Sequence, residues 1–255
     1  MTVSVTHEGP VSKVVFANPP QNLLTIDIME ELLEAHRQAD ANPETRVILT
    51  LSGTPGIFSN GLDIPYVLKK SEPERAQVFR AVARMLHGLF GLGKPHIAVV
   101  TGPAMAGGAI LAVTADFRVF EASAGRISFA EPKVGLPILE PITAVIRQCC
   151  HSSHLRDVVM LGKNMDAQAA LASGLADEAA PAAELEETVE KLAGRLARLS
   201  PAVLKATKAA LRKDALHKTL AFCDGDPRFE SFVGDRFLGE GLRAILEQRF
   251  PTFVA

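Results

Sequence analysis

The segment TGPAMAGGAILAVTADFRV, residues 101–119, decides the fold of this chain. It begins where a mostly apolar run, residues 95–101, ends, and we predict a strand buried on both faces for that run. Glycine or proline at positions 102, 103, 107 and 108 predicts a turn, and the apolar residues from Ala109 onward predict a buried helix. The uncharged stretch 97–115 is nearly long enough to cross a membrane, but the turn within it favours strand, turn and helix instead.

A similar order of elements occurs earlier in the chain. Residues 11–17 are a predicted strand, and NPPQNL (18–23) is a loop because proline cannot join a central ladder. A helix begins near Thr25, and its buried stripe is Ile28, Leu32, Ala35 and Ala39. The apolar strand 47–51 then precedes the glycine-rich segment 52–64, which opens another helix. This repetition predicts an α/β fold of repeated ββα units.

The last third of the chain is predicted to be helical. Apolar residues recur at helical spacing at Leu185, Val189, Leu192, Leu196 and Leu199. Ser200 and Pro201 are suited to the cap and the first turn of the next helix, and residues 237–250 form another. Because no linker separates these parts, we predict one unit with a ββα core at 1–195 and a helical region at 196–255. The apolar stripes of that region pack on the core or on other subunits.

Composition excludes several classes of function. The 255 residues are 47% hydrophobic and 22% charged, which is typical of a globular protein. A formal net charge of −2 and 5% aromatic residues argue against a partner that is a nucleic acid. Three cysteines and an N-terminus without a basic start and apolar run predict a cytoplasmic protein, or one in another reducing compartment, that has no membrane partner.

Metal and nucleotide motifs are not supported by the sequence. Cys149, Cys150, His151 and His154 lie close together, but adjacent cysteines do not match the spacing at which two thiolates reach one zinc ion. We predict instead a single helix over 147–161 with small buried thiols, and no metal site. The glycine-rich segments lack both the P-loop ending and the dinucleotide-binding spacing, and no G-x-S-x-G elbow occurs.

Three segments carry residues suited to acyl chemistry. FSNGLD (58–63) and MAGGAI (105–110) each follow a buried strand and open a helix, where unpaired backbone N–H groups can hold an oxyanion. Taken alone, each loop is better explained as an ordinary connection between a strand and a helix. Glu131 stands in the largely apolar segment 126–137, where burial would raise its pKa and suit it to act as a general base. A salt-bridged or exposed loop glutamate is the alternative.

In this order, six segments resemble the crotonase superfamily, the enoyl-CoA hydratase/isomerase family, and most closely its Δ3,Δ2-enoyl-CoA isomerases. The segments are residues 18–32, 55–64, 101–119, 126–137, 161–181 and 242–253. The resemblance implies a crotonase-like spiral of ββα units with a helical C-terminal oligomerisation region. It also implies an acyl-CoA substrate, a homotrimer or a dimer of trimers, and no cofactor beyond the coenzyme A of the substrate.

The resemblance also implies the residues of the site. The backbone N–H groups of Leu62 and Gly107 match the two donors that hold the thioester oxygen, and Glu131 matches the catalytic carboxylate. Leu62 and Gly107 also belong to the substrate-binding and CoA-binding set, whose remaining members are Asn60, Asp63 and Ile64. Arg249 matches a basic position near the phosphates of coenzyme A, with a solvated charge at a helix end as the alternative.

Two positions depart from the family pattern. Hydratases carry a second glutamate where this chain has Ile110, and hydration requires water held between two carboxylates, whereas one base can shuttle a proton. The resemblance therefore implies isomerisation of 3-enoyl-CoA to 2-enoyl-CoA by a single glutamate. Isomerases often have asparagine at the position of Ala130, which bears on substrate positioning. A dienoyl isomerase would need a further acid at Leu139, and Glu140 lies beside that position.

Other functions remain open from the sequence. An enoyl-CoA hydratase is one alternative, and decarboxylation or hydrolysis of a thioester or C–C bond by the same fold is another, because a fold does not fix a function. A non-catalytic acyl-CoA-binding subunit is a third. Exchange of the C2 proton in deuterated water separates catalysts from such binders.

Overall fold

The computed structural model describes residues 2–223 and 236–253, together with Gly225, Pro227 and Ser231. Strands in the described part of the chain are β1 (Val3–Glu8), β2 (Val11–Phe16), β3 (Val47–Ser52), β4 (His96–Val100), β5 (Pro103–Met105), β6 (Phe117–Glu121), β7 (Arg126–Ser128), β8 (Met165–Asp166) and β9 (Glu178–Ala180). Six of them form one sheet in the order β1-β2-β3-β4-β6-β9, and three form a small sheet in the order β5-β7-β8.

Helices surround these sheets. The helices of the described residues are α1 (Ile26–Ala41), α2 (Ile64–Leu68), α3 (Glu72–Phe90), α4 (Gly107–Val113), α5 (Glu140–Ile146), α6 (Ser152–Leu161), α7 (Ala167–Ser173), α8 (Leu185–Ala197), α9 (Pro201–Cys223) and α10 (Arg236–Leu246). One turn of 3-10 helix, Glu131–Val134, is called the Glu131 turn below. No helix among the described residues has both the length and the apolarity needed to cross a membrane.

The central strands β3 and β4 of the large sheet are buried on both faces, as their apolar sequences predicted. In it β1 pairs antiparallel to β2, and every other neighbouring pair is parallel. Alternate residues of a strand point to opposite faces, and Ile48, Ala98 and Val100 accordingly pack in the larger core with α1 and α3. The opposite face packs against α8 through Val47, Leu49, Ile97 and Val99. The sheet therefore has the buried character that parallel strands require.

The predicted first helix is confirmed in detail. Thr25 caps α1, because its hydroxyl accepts a hydrogen bond from the backbone N–H of Ile28. The predicted stripe is buried at Ile28, Leu32, Ala35 and Ala39. The predicted strands at 11–17, 47–51 and 95–101 correspond to β2, β3 and β4 within one residue at every end.

Three local predictions are corrected. The single helix over 147–161 is wrong: α5 ends at Ile146 and α6 begins at Ser152, because the His151 N–H donates to Ser173 O at 2.8 Å instead of continuing a helix. The turn after β4 contains a further strand, β5, and α4 begins at Gly107 rather than Ala109. Leu199 lies beyond the end of α8 and is half exposed.

Ion pairs of largely buried side chains attach α9 to the core. Asp116, just before β6, accepts a hydrogen bond from Lys208 Nζ at 2.6 Å and lies 2.8 Å from Arg212 Nη2. Arg212 also donates to Phe90 O at 2.6 Å. These contacts place α9 on the core of the same chain. The division at residue 195 into a core and a helical region stays a prediction.

Candidate active site

Two loops that were separate in the sequence lie side by side. Ser59 bridges Ala104 in parallel, so that the Met105 N–H donates to Ser59 O at 2.8 Å. The N–H groups of Phe58 and Ser59 both donate to Pro103 O, at 3.0 and 2.9 Å. The segment before Gly61 therefore forms an isolated β-bridge beside β5, and the glycine loops that follow the bridged residues meet.

Hydrogen bonds fix the direction of the Leu62 N–H. The carbonyl of Gly61 accepts from the Leu24 N–H at 2.8 Å. In a planar trans peptide the C=O and the N–H of the same unit point in opposite directions. The Leu62 N–H therefore points away from Leu24, and among the described residues it has no acceptor.

The N–H of Gly107 is fixed in a similar way. The carbonyl of Ala106 accepts from the Ile110 N–H at 2.9 Å, in the first turn of α4, so the Gly107 N–H of the same peptide points out of the helix. It too lacks an acceptor within the part of the chain that the structure describes. The Ala106 N–H donates to Ser128 O at 2.8 Å, which ties this loop to β7.

The two amides lie close together. A Cβ atom built on Gly107 would lie 3.6 Å from the Leu62 nitrogen, and one built on Gly61 would lie 3.0 Å from the Gly107 nitrogen. Gly61 has a φ of +84°, and its Cβ would also stand 2.8 Å from Met105 O, so this position requires glycine. Two unpaired N–H donors this close can hold one oxyanion between them.

A cavity of about 520 Å³ opens at these amides. Gln21, Asn60 and Glu131 are its polar side chains among the described residues, and the rest of the lining consists of apolar side chains and Gly107. The apolar walls come from α3, α5, α9 and α10 as well as from the two loops. A cavity with this lining is suited to a ligand whose enclosed part is largely hydrocarbon, with a polar group at the amides and Glu131.

Glu131 reaches the cavity because of how β7 pairs. Strands β5 and β7 are parallel, with Met105 opposite Ser128, so the segments that follow them leave the small sheet at the same edge. Gly107 and Glu131 lie in those segments, and both line the cavity. This pairing brings the predicted carboxylate to the predicted amides.

The Glu131 carboxyl is buried and only partly satisfied. The residue is 7% exposed, and its Oε2 atom has no hydrogen-bond partner among the described residues. Burial raises the pKa of Glu131 from its ordinary value of 4.5 to about 7. Glu131 is therefore not exposed, and among the described residues it has no salt bridge, so neither form of the alternative is found. A carboxyl group of this kind can both accept and return a proton near neutral pH.

The C-terminal helix forms part of the same site. Leu242, Ile245 and Leu246 of α10 line the cavity. Gly241 lies against the Glu131 turn, since a Cβ there would stand 2.2 Å from Val134 O. Sequence analysis missed these residues as site residues: the apolar stripe of 237–250 was visible, but nothing local showed that it covers a cavity.

The remaining predicted residues are divided between the cavity and its surroundings. Asn60, Ile64 and Ala130 line the cavity, and so does Ile110, which is 3% exposed. Asp63 is not in the lining, and its side chain caps α2 by accepting from the Tyr66 N–H at 2.9 Å. By capping α2, Asp63 fixes the position of the segment that carries Ile64.

Arg249 and Glu140, two charged residues singled out from the sequence, lie in ion pairs. Arg249 Nη1 lies 2.5 Å from Glu240 Oε1, and Arg249 Nε lies 2.5 Å from Glu247 Oε2. Glu140 Oε1 lies 2.8 Å from Lys218 Nζ, and neither Glu140 nor Leu139 lines the cavity. The charge of Arg249 is therefore balanced within the chain. Among the described residues no group of three or more His, Cys, Asp or Glu side chains is placed to hold a metal ion.

Comparison with known protein families is consistent with this geometry. A family model described as enoyl-CoA hydratase/isomerase matches residues 6–255. A putative enoyl-CoA hydratase of Thermus thermophilus is 30% identical over 248 residues, which cover 94% of this chain and 96% of the relative. A carnitinyl-CoA dehydratase of Salmonella typhi is 30% identical over 213 residues, covering 83% of this chain and 80% of the relative.

Solved structures share the fold. Human mitochondrial Δ3-Δ2-enoyl-CoA isomerase superposes with a TM-score of 0.90 at 23% identity, covering 97% of this chain and 98% of the other. An enoyl-CoA hydratase from Mycobacterium avium subsp. paratuberculosis K-10 has a TM-score of 0.85 at 24% identity, covering 100% and 99%. At these identities the likeness establishes the arrangement of the backbone.

Proposed function

This chain belongs to the enoyl-CoA hydratase/isomerase family, and we propose that within it the chain is an isomerase that converts 3-enoyl-CoA to 2-enoyl-CoA. Family membership and the α/β fold confirm the resemblance to the crotonase superfamily that the sequence segments suggested. One observation carries the choice of reaction: among the described residues that line the cavity, Glu131 is the only ionisable side chain.

Substrate binding places the thioester oxygen at the two amides. The Leu62 and Gly107 N–H groups donate to this oxygen, and their donation strengthens when negative charge develops on it. Each such donor lowers the barrier by about 3 kcal/mol in acyl-transfer enzymes. Because both peptides are already held by hydrogen bonds to Leu24 and within α4, they need no reorganisation when the charge appears.

Glu131 then moves one proton in two steps. Its carboxylate removes a proton from C2, and the C–H electron pair forms a dienolate whose charge rests on the oxygen held by the amides. The resulting carboxylic acid returns the proton to C4, and the electrons collapse to a double bond between C2 and C3. Atoms and charge balance without water or a redox partner, so one carboxylate suffices.

Ile110 favours isomerisation over hydration. Its side chain is buried in the cavity wall three residues after Gly107. A hydratase must hold and activate a water molecule, and an apolar side chain at this position supplies neither a hydrogen bond nor a charge to that water. The apolar wall also helps to keep the pKa of Glu131 raised.

The rest of the proposal concerns ligand and assembly. Asn60, Leu62 and Ile64 contact the pantetheine arm of coenzyme A, and the acyl chain lies among the apolar side chains of α3, α5 and α9. No further cofactor is required, and the protein works in the cytoplasm or another reducing compartment. It assembles as a homotrimer or a dimer of trimers, which is supported by the exposed leucines of α9, 70% at Leu211 and 52% at Leu220.

Deuterium exchange tests the function. In deuterated water the wild-type protein should incorporate label at C2 and C4 of a 3-enoyl-CoA and release 2-enoyl-CoA, and Glu131→Gln should lower the rate by at least about 10²-fold. Glu140→Gln, which alters a nearby carboxylate outside the cavity, is the control and should retain activity. Near wild-type turnover by Glu131→Gln would disprove the proposal, and so would binding of acyl-CoA without any exchange.

Hydration is the second candidate, because the Thermus thermophilus relative is named a putative enoyl-CoA hydratase. Supplying 2-enoyl-CoA in place of the 3-enoyl isomer distinguishes the two reactions. We expect slow or undetectable formation of 3-hydroxyacyl-CoA compared with isomerisation. Hydration at a rate equal to or above isomerisation would favour the second candidate.

A further inference from the structure

Ser59 is fully buried where the two glycine loops meet, although it does not line the cavity. Its backbone carbonyl accepts the Met105 N–H at 2.8 Å, two residues before Gly107. Its hydroxyl oxygen accepts the Gly61 N–H at 3.2 Å, one residue before Leu62. A single residue therefore bonds to both of the loops whose amides form the oxyanion site.

The hydrogen bonds of the Ser59 hydroxyl have one consistent assignment. A hydroxyl has one proton, and Asn22 O, 2.7 Å away, can only accept it. The oxygen lone pairs then remain for the Gly61 N–H. Asn22 O is itself held in place, because the Asn22 side chain accepts from the Asn18 N–H at 2.7 Å and donates to Phe58 O at 2.8 Å.

Gly61 needs such restraint more than any other residue of its loop. Its φ of +84° lies in a region that glycine enters freely, and glycine also has the widest choice of other conformations. Leu24 holds the carbonyl side of Gly61, and the Ser59 hydroxyl holds the nitrogen side. With both sides held, the peptide that presents the Leu62 N–H has one orientation.

We propose that the Ser59 hydroxyl is a positioning group for catalysis: through Gly61 it orients the Leu62 N–H toward the oxygen that the Gly107 N–H also binds. This inference rests on the proposed function, because it assumes a thioester oxygen at the two amides. Ser59 touches no substrate. Its effect on the rate comes from the geometry of the donor pair, where a displacement of about 1 Å can cost up to about 10²-fold.

Steady-state kinetics of Ser59→Ala provide the first measurement. We expect kcat to fall about 10-fold and KM to change less than about 2-fold, since the donor pair matters most when charge develops on the oxygen. Ser59→Cys, which keeps a weak donor and acceptor, should recover part of the loss. Ser173→Ala is the matched control: Ser173 is also fully buried, and its hydroxyl donates to Ala170 O at 3.0 Å within its own helix rather than to either loop.

A spectroscopic measurement separates positioning from a merely structural role. Hydrogen bonds from the amides lower the carbonyl stretching frequency of a bound 2-enoyl-CoA labelled with ¹³C at the thioester carbon. Ser59→Ala should lose about half of the shift seen on binding to the wild-type protein, while Ser173→Ala should keep all of it. Both variants are expected to lower Tm by a few degrees, because each leaves buried partners unpaired.

The outcomes are distinguishable. If Ser59→Ala keeps the full carbonyl shift and wild-type kcat, the inference is wrong while the proposed function stands. If kcat falls equally in Ser59→Ala and Ser173→Ala, the effect is one of stability and the inference is again wrong. If the wild-type protein itself produces no carbonyl shift, the two amides do not bind the oxygen, and the proposed function fails.

Discussion

Glu131 holds an ionisable group in a cavity where its neighbours are apolar. A buried carboxylate without enough hydrogen bonds is costly, so the group binds a proton instead of remaining charged. Burial therefore makes the Glu131 carboxylic acid weaker and its carboxylate a stronger base. The same burial thus affects both the rate of the proposed reaction and the stability of the folded chain.

The rate should follow the ionisation of Glu131. We expect kcat/KM to rise about 10-fold per pH unit below neutrality and to level off above about pH 7, because the free enzyme needs the carboxylate form and burial raises its pKa to about 7. A profile of kcat/KM from pH 5 to 9 measures this. A midpoint near 4.5, the ordinary pKa of the group, would mean that the side chain is solvated in the working enzyme.

The free energy of unfolding should also depend on the ionisation of Glu131, but it should fall with pH where the rate rises. The folded chain keeps the Glu131 proton up to about pH 7, whereas the unfolded chain loses it near pH 4.5, so the free energy of unfolding falls as pH rises through that window. Glu131→Gln removes this dependence. It should be more stable than wild type at pH 8, by up to about 3 kcal/mol, and the gain should shrink toward pH 4.5. Urea unfolding at both pH values tests this, and an equal difference at both would contradict it.

From the sequence, the proposed reacting groups were easier to single out than the groups that support them. Leu62 and Gly107 were predicted because each lies in a glycine loop between a strand and a helix, and Glu131 because it is a lone acid among apolar residues. These patterns are local in the sequence, and they resemble segments of the family. Whether Glu131 is buried was left open. Ser59 was not singled out, because its role depends on Asn22, 37 residues away, and on a loop still further along the chain.

Helix α10 and the Glu131 turn form one packed unit. Gly135 ends the turn with a φ of +75°, and a Cβ there would lie 2.8 Å from Phe237 O. Gly241 makes the reciprocal approach from α10 to Val134. Because backbone meets backbone at both positions, the helix and the turn cannot shift independently. The orientation of Glu131 is therefore coupled to the docking of α10.

Two glycines of α10 provide a controlled test of this coupling. Gly241→Ala places a Cβ 2.2 Å from Val134 O and should cost about 2 kcal/mol of stability and lower kcat. Gly239→Ala meets only the end of the Arg243 side chain, at 3.8 Å, and should gain about 0.5–1 kcal/mol from helix propensity. Thermal unfolding and kinetics of both variants check this. Equal effects of the two substitutions would show that α10 does not depend on close contact with the turn.

Elements with a regular local pattern were predicted well, and those fixed by distant contacts were not. Helix α1 has a cap, a stripe and a clear end, so its prediction was accurate. The break between α5 and α6 depends on the bond from His151 to Ser173 and on the approach of Gly174, whose Cβ would stand 2.3 Å from Cys149 O. No helical period reveals contacts of that kind.

At the scale of the whole molecule, a largely buried charge cluster joins α9 to the sheet. Asp116 accepts the His96 N–H at 2.8 Å in addition to its pairs with Lys208 and Arg212. Arg212 also stacks over the ring of Phe90 at 4.0 Å. Burial lowers the pKa of Lys208 to about 8 in spite of its carboxylate partner. The attachment of α9 is therefore sensitive to the loss of that carboxylate.

Removing the Asp116 charge should loosen the attachment of α9. Asp116→Asn leaves two buried cations without their carboxylate and should cost about 3 kcal/mol of unfolding free energy. Glu187→Gln is the matched control, because Glu187 pairs with Lys191 at 2.7 Å on the surface, where such a pair contributes little. Chemical denaturation of both variants gives the comparison. A loss for Asp116→Asn no larger than for the control would show that the cluster does not hold α9.

The walls of the cavity come from distant parts of the chain, from Gln21 to Leu246. During synthesis strands β1 to β4 leave the ribosome before α10 and can begin to fold, so the side of the cavity formed by α10 is completed after the other sides. A nascent chain therefore presents an open, apolar cleft until α10 has been synthesised. That interval is when a chaperone would have most to protect, and when a stalled ribosome would release a chain that can neither enclose its ligand nor shield its interior.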